Sequence, residues 1–161
     1  MDNNMNPQRL HVEYPNCNSL TPDWIVGFVD GEGCFHIGIN KNDEVKSGYQ
    51  VLPELTVVQH KRDIQLLYRL RTFMKCGVVR SNHGDRFCWR VRCLKNLVEI
   101  ILPFFEKHPL KSKKNIEFHR FAKVVRMMEK DKHLTQEGFQ KIIKIAEEMN
   151  RQEQREIRIK I

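Results

Sequence analysis

Between residues 20 and 130 the apolar residues twice run through one cycle, from the roughly 3.6-residue repeat of a helix to the two-residue repeat of a half-buried strand, before returning to a helical repeat. Thr21-Pro22-Asp23 gives a capping hydroxyl, a proline at the first helical position and an early acid, so a short helix is expected from Trp24 to about Asp30. Gly31 and Gly33 punctuate it. Phe35, Ile37 and Ile39 then alternate with Cys34, His36, Gly38 and Asn40, and a turn over Lys41 to Gly48 leads to a second strand, Gln50 to Gln59. Pro53 marks that strand as an edge or a bulge. The cycle repeats. Asp63 is placed to cap a helix carrying Ile64, Leu67, Leu70 and Phe73 or Met74, ended by Gly77. Val78 to Asn82 and Arg86 to Cys93 then flank the turn-like His83-Gly84-Asp85.

A helix and a hairpin, each met twice, imply an α+β chain of order αββαββα: one antiparallel four-stranded sheet with helices packed on a single face. The other face is left to bind something. Further helices are expected at Leu94 to Leu102, halted by Pro103, and, after a connector over 103–113, at Ile116 to Met128 and from Thr135 through Ala146. Residues 1–19 lack periodicity and read as a flexible arm, residues 20–150 as one domain, and residues 151–161 as a tail that is either a helix extension or a pairing strand.

Charge narrows the partner. The chain holds 28 Lys and Arg against 20 Asp and Glu, a formal +8, which favours a polyanion. Five cysteines without a C-x-x-C pair suit a reduced, intracellular protein, and the seven histidines show no zinc-ligand spacing. No apolar run is long enough to span a membrane, and residues 1–19 resemble neither a secretory signal nor a transit peptide. Neither a membrane nor a small-molecule substrate is expected as a partner.

Two segments carry chemistry. In Arg86-Phe87-Cys88-Trp89-Arg90-Val91-Arg92 the apolar residues fall on one face and the arginines on the other, with no acid among them. Arg80 and Asn82 of the preceding strand extend that cationic face, which suits phosphate oxygens and the acceptor edge of guanine. The second segment is Trp24 to Gly33. Gly27 and Gly31 cost a helix about 1 kcal/mol each unless bare backbone must approach another helix closely, and an identical helix from a second chain would supply that neighbour. Asp30 and Glu32 stand at a helix C-terminus, where the helix dipole disfavours acids, so a positive group belongs there. A divalent cation held by Glu32, Asp30 and backbone carbonyls such as that of Gly31 fits.

Ile25 to Gly33 resembles the nine-residue motif of the LAGLIDADG homing endonucleases. Ile25, Phe28 and Val29 take its apolar positions, Val26 and Gly31 its alanines, Gly27 and Gly33 its glycines, and Asp30 and Glu32 its acids. The motif occurs once, and the resemblance implies a homodimer packed through Ile25, Gly27, Phe28 and Gly31, with one Glu32 from each subunit at each scissile phosphate. It further implies Mg²⁺, replaceable by Mn²⁺, and duplex DNA cut on both strands with 3′ overhangs. Catalytic residues carried over are Glu32, Gln59 as a water-positioning amide, and Lys111, with Lys113 in reserve; Gln59 as a plain strand cap and the lysines as phosphate contacts stay open alternatives. Lys61, Arg62 and Asp63 straddle the place of a family arginine. DNA is expected on His36, Asn40, Gln50, Glu54, Thr56, Arg80, Asn82, Arg86, Arg90, Arg92 and Lys113. His133 to Phe139 is similar to a stretch found in organellar members, which points to a chloroplast or mitochondrion. The rivals are an RNA maturase or a non-cleaving nucleic-acid binder on the same scaffold.

Overall fold

The computed structural model describes residues 19–45 and 47–159, with 150–159 as backbone only. The expected flexible arm lies, apart from Ser19, outside the described residues. Thr21 caps the first helix, α1 (Pro22–Glu32), its hydroxyl accepting the Trp24 N–H at 3.2 Å. This helix runs through Gly31 and ends on Glu32, two residues beyond the expected end. The hairpin β1 (Gly33–Lys41) and β2 (Tyr49–His60) follows, then α2 (Ile64–Met74) and the hairpin β3 (Val78–Ser81) and β4 (Arg86–Val91). The four strands form one antiparallel sheet in the order β1-β2-β4-β3. The αββαββα arrangement is therefore the one observed.

Register explains Pro53. It pairs with Ile37 of β1 in the half of β2 that β4 does not reach, so its missing N–H breaks no ladder on that side. Strand parity then sorts the side chains. Phe35, Ile37, Val51, Leu55, Val57, Trp89 and Val91 face the helices and are buried. Phe35 is the hub, with ring centroids 5.8, 5.5 and 5.2 Å from Phe105, Phe118 and Phe121. Trp89 satisfies its buried indole N–H on the Cys76 carbonyl at 2.9 Å. Gly77, at φ +82°, lies where a Cβ would sit 2.5 Å from that indole nitrogen, so only glycine permits the approach.

Several expectations are corrected. The helix beginning at Leu94 does not stop at Pro103: α3 (Leu94–Asn96) passes through a wider turn (Leu97–Ile101) into α4 (Leu102–Lys107). There the Leu102 N–H donates to Leu97, five residues back. The wide turn displaces the carbonyls that a proline ring would otherwise strike, so the helix continues past it. Asp63 makes no capping hydrogen bond; His60 Nδ1 accepts the Arg62 N–H at 3.2 Å instead. The last two helices are α5 (Lys114–Glu129) and α6 (Gln136–Ile159), and the backbone of 151–159 extends α6 rather than forming a strand. Thr135 caps α6, and a Cβ on Gly138 would lie 1.9 Å from the Lys132 carbonyl, which gives the His133 to Phe139 stretch a structural reason.

Candidate nucleic-acid interface

The end of α1 is built from both sides. Gly33 starts β1 while its N–H still bonds Val29, and a Cβ there would meet Val29 Cγ1 at 2.6 Å and the Val29 carbonyl at 2.7 Å. That tight junction fixes where Glu32 emerges. Asp30 is consumed: its Oδ2 accepts the Lys111 N–H at 2.7 Å, and its Oδ1 accepts the Ser112 N–H at 3.2 Å and the Ser112 hydroxyl at 2.6 Å. These bonds, with Lys114 nearby, hold its carboxyl below the usual range, although burial alone would raise it. Asp30 is thus a latch for the connector rather than the metal ligand it was expected to be. Glu32 is exposed and has no hydrogen-bond or ion-pair partner among the described residues.

The positive group demanded by the helix end is partly supplied by the chain itself. Lys114, half-buried at the start of α5, donates its ammonium to the Gly33 carbonyl. The sequence singled out Lys111 and Lys113 and passed over Lys114, because a third lysine in a run has no periodicity to distinguish it. Lys111 is exposed and spends its backbone N–H on Asp30, while Lys113 stands at the position just before α5 without a side-chain capping bond. Gln59 lies two residues past Val57, the register partner of Gly33, at the same end of the sheet as Glu32. Its parity is that of Val57, so it faces the helix side, half-buried at the rim. Lys61 pairs with Asp85 at 2.9 Å and Arg62 with Asp63 at 3.4 Å, so both residues near the family's arginine position are engaged.

The metal question can be put to these groups. Among the described residues no three His, Cys, Asp or Glu side chains converge as a closed cage. One exposed carboxylate beside the backbone carbonyls of a helix end is a partial, open set of hard oxygens. It fits Mg²⁺, which keeps several waters and accepts substrate phosphate, and does not fit a structural metal.

The sheet surface away from the helices carries the expected donors in rows. Cys34, Thr56, Arg90 and Val78 form one; Val58, Cys88 and Arg80 the next; His60 and Arg86 the rim; Asn40 and Gln50 the far end. His36, Asn40, Gln50, Arg80, Asn82 and Arg86 are exposed, and Thr56 and Arg90 half-exposed. Two details depart from expectation. Cys88 is buried, and its thiol is pushed up by burial against the opposing pull of Arg90 and Arg80. Arg92 does have an acid beside it: its Nε lies 2.5 Å from Glu54 Oε2, across the sheet. Those two side chains therefore offer the face one paired unit, not two independent contacts.

The outer face of α1 is the third element. Ile25, expected in the dimer interface, is only 1% exposed and belongs to the chain's own core with Val26 and Val29. The outward stripe consists of Trp24, Gly27, Phe28 and Gly31, with the Trp24 and Phe28 rings 4.7 Å apart. A Cβ built on Gly27 or Gly31 meets nothing within 4 Å.

An antiparallel sheet backed by helices, with arginines on the open face and a free carboxylate at a glycine-rich helix end, defines an α+β protein of the homing-endonuclease fold. Residues 25–125 match the LAGLIDADG endonuclease family, and the chain belongs to that family. The solved homing endonuclease I-TnaI is 58% identical, with a TM-score of 0.79 over 82% of this chain and 89% of that one. I-SmaMI, solved bound to an uncleaved DNA target with calcium ions, is 35% identical, with a TM-score of 0.81 over 83% of this chain and 46% of its own. A probable intron-encoded endonuclease of Neurospora crassa is 31% identical over 148 residues, 88% of this chain. This chain spans about a third of the length of the curated fungal relatives it matches.

Proposed function

We propose that the protein is a site-specific homing endonuclease, encoded by an intron and working in a chloroplast or mitochondrion. As a homodimer it would cut both strands of a long, pseudo-palindromic duplex DNA site, leave 3′ overhangs and so promote intron homing. The observation that carries this reading is Glu32: a carboxylate left free while its neighbours on both sides are bonded. A solvated surface acid would need no such scaffold.

The residues divide the work. Glu32, with the Gly31 carbonyl, would hold the divalent ion; when bound, Mg²⁺ or Mn²⁺ supplies Lewis acidity toward the scissile phosphate. Gln59 orients water from the sheet rim without taking its proton, since an amide is no base at neutral pH. Lys114 offsets the negative end of α1, and Lys111 is free to contact phosphate. The exposed sheet residues read the major groove, arginine on guanine and Asn40, Gln50 and Asn82 on adenine. Lys113 contacts backbone phosphate. The bare backbone at Gly27 and Gly31 lets a second α1 pack closely, which brings two Glu32 carboxylates to opposite strands. Trp24 and Phe28 flank that contact.

Cleavage of a randomised duplex library tests the reading, using Mg²⁺, Ca²⁺ or EDTA and a Glu32→Gln variant. Cutting of a long pseudo-palindromic site by the wild type, with the variant binding that site uncut, is the expected result. Tight binding of DNA or RNA with no member cut would instead favour a maturase or a non-cleaving binder.

A further inference from the structure

Helix α5 has a second face that DNA binding on the sheet does not use. Phe118, Phe121, Ala122, Val125 and Met128 bury its inner side against the sheet and α6. His119, Lys123, Arg126 and Lys130 recur at i, i+4, i+7 and i+11, a single exposed stripe on the opposite side. Together with Lys132 of the turn Lys132–Leu134, and a floor of Ala122 and Met127, they line a cleft of about 310 Å³.

No acid lines this cleft. Arg126 is bonded to Glu106, and Lys132 acts on Glu137, but Lys123 and Lys130 have no ion-pair partner among the described residues. The stripe spans about 16 Å at a rise of 1.5 Å per residue, a length over which duplex DNA presents on the order of ten phosphates. The body of α5 itself lies between the stripe and the sheet. Duplex DNA is stiff over about 150 base pairs, so carrying the stretch held on the sheet round to this side would need a sharp and costly bend. A duplex segment on the stripe is therefore one other than the stretch held on the sheet. The lysines are point charges suited to phosphate, no amide is present to read bases, and apart from His119 there is no ring on which a base could stack. These features favour duplex backbone over single-stranded RNA.

We propose that the α5 stripe is a second, sequence-independent site for duplex DNA, through which the protein holds another DNA segment while the sheet engages its target. The inference rests on the sheet being the target-binding face. Such a site would let the protein pass between DNA segments during its search instead of dissociating.

The test is a sandwich capture: target duplex on beads, full-length protein, then a labelled duplex of unrelated sequence. Wild type, Lys123→Glu/Lys130→Glu and the milder Lys123→Gln/Lys130→Gln are compared. The wild type should capture the second duplex. The Glu variant should lose capture at least tenfold, and the Gln variant should lower the salt slope of capture by about 2, one unit per lost phosphate contact. Affinity for the bead-held target should stay within about twofold, as expected for residues remote from the sheet. Capture that is absent in the wild type, or equal in the variants, overturns the second site, and capture of single-stranded RNA in place of duplex overturns the assignment of its ligand. Loss of target binding by the wild type itself would bring down the sheet reading and this inference together.

Discussion

Single atoms decide much at the α1 end. Gly33→Ala would push a Cβ against the backbone carbonyl of Val29 and should cost about 2 kcal/mol in urea unfolding, as overpacking of a tight contact does. The same change also tilts Glu32, so cleavage should fall further than stability alone predicts. The cysteines give an independent check. Burial, reinforced by nearby Cys93, pushes Cys76 up to about 11, and burial raises Cys88 as well. The thiolate is the reactive form, so at pH 8 iodoacetamide should label exposed Cys34 and Cys93 well before Cys76 and Cys88, as read by mass spectrometry of the native protein. The sign for stability follows. The folded state keeps the Cys76 proton that an unfolded chain would release above its ordinary value of 9.0, so this contribution is intact below pH 9 and is lost as pH rises from 9 to 11.

For an element, the informative case is α1, where helix propensity and the proposed pairing of two chains pull in opposite directions. Gly27→Ala and Gly31→Ala have open space in the isolated chain and remove about 1 kcal/mol of helix cost each. Each should therefore leave the monomer as stable or more so, yet weaken self-association and cleavage, because the added methyl holds two helices apart. Sedimentation at graded concentration, beside thermal unfolding, separates the two effects. Stronger association in the variants would count against a close-packed α1 pair. At the far end, Thr135→Ala removes the α6 cap and should cost about 1 kcal/mol without changing DNA affinity. The run from Leu94 to Lys107 carries the opposite lesson about local rules: a proline ends a helix only if the backbone before it cannot widen.

Across the whole molecule, with its net charge of +8, two basic clusters stand on opposite sides of the sheet. Arg80, Arg86 and Arg90 lie on the open sheet, and Lys123, Arg126, Lys130 and Lys132 behind it on α5 and its following turn. Target affinity should fall steeply with salt, and Arg86→Ala should reduce the slope by about 1 if Arg86 contacts phosphate, or relax base preference at one position if it reads guanine. Arg92→Ala should behave differently. Glu54 would be left half-buried without its partner, so that variant loses affinity through an added negative charge on the face as well as a lost donor. Restoration by a second change, Glu54→Gln, would show the coupling in a double-mutant cycle.

The periodicities alone determined the αββαββα order, the single sheet and its two unlike faces, because burial of one face per element is written directly in side-chain spacing. The spacing of Gly27, Asp30, Gly31, Glu32 and Gly33 likewise announced a glycine-rich helix end bearing acids. What spacing does not contain is the distance between residues far apart in the chain. Asp30 and Glu32 look alike in sequence, and only the return of residues 111–114 to the end of α1, some eighty positions later, bonds one and leaves the other free. The same return selects Lys114 from a run of lysines. Ile25 and Phe28 are both apolar motif positions, yet the direction in which α1 lies on the sheet seals the first in the core and leaves the second only partly buried at its edge. Local pattern sets what each element is, and packing sets which of its groups remain available, because availability is what is left once every other chain segment has taken its bonds.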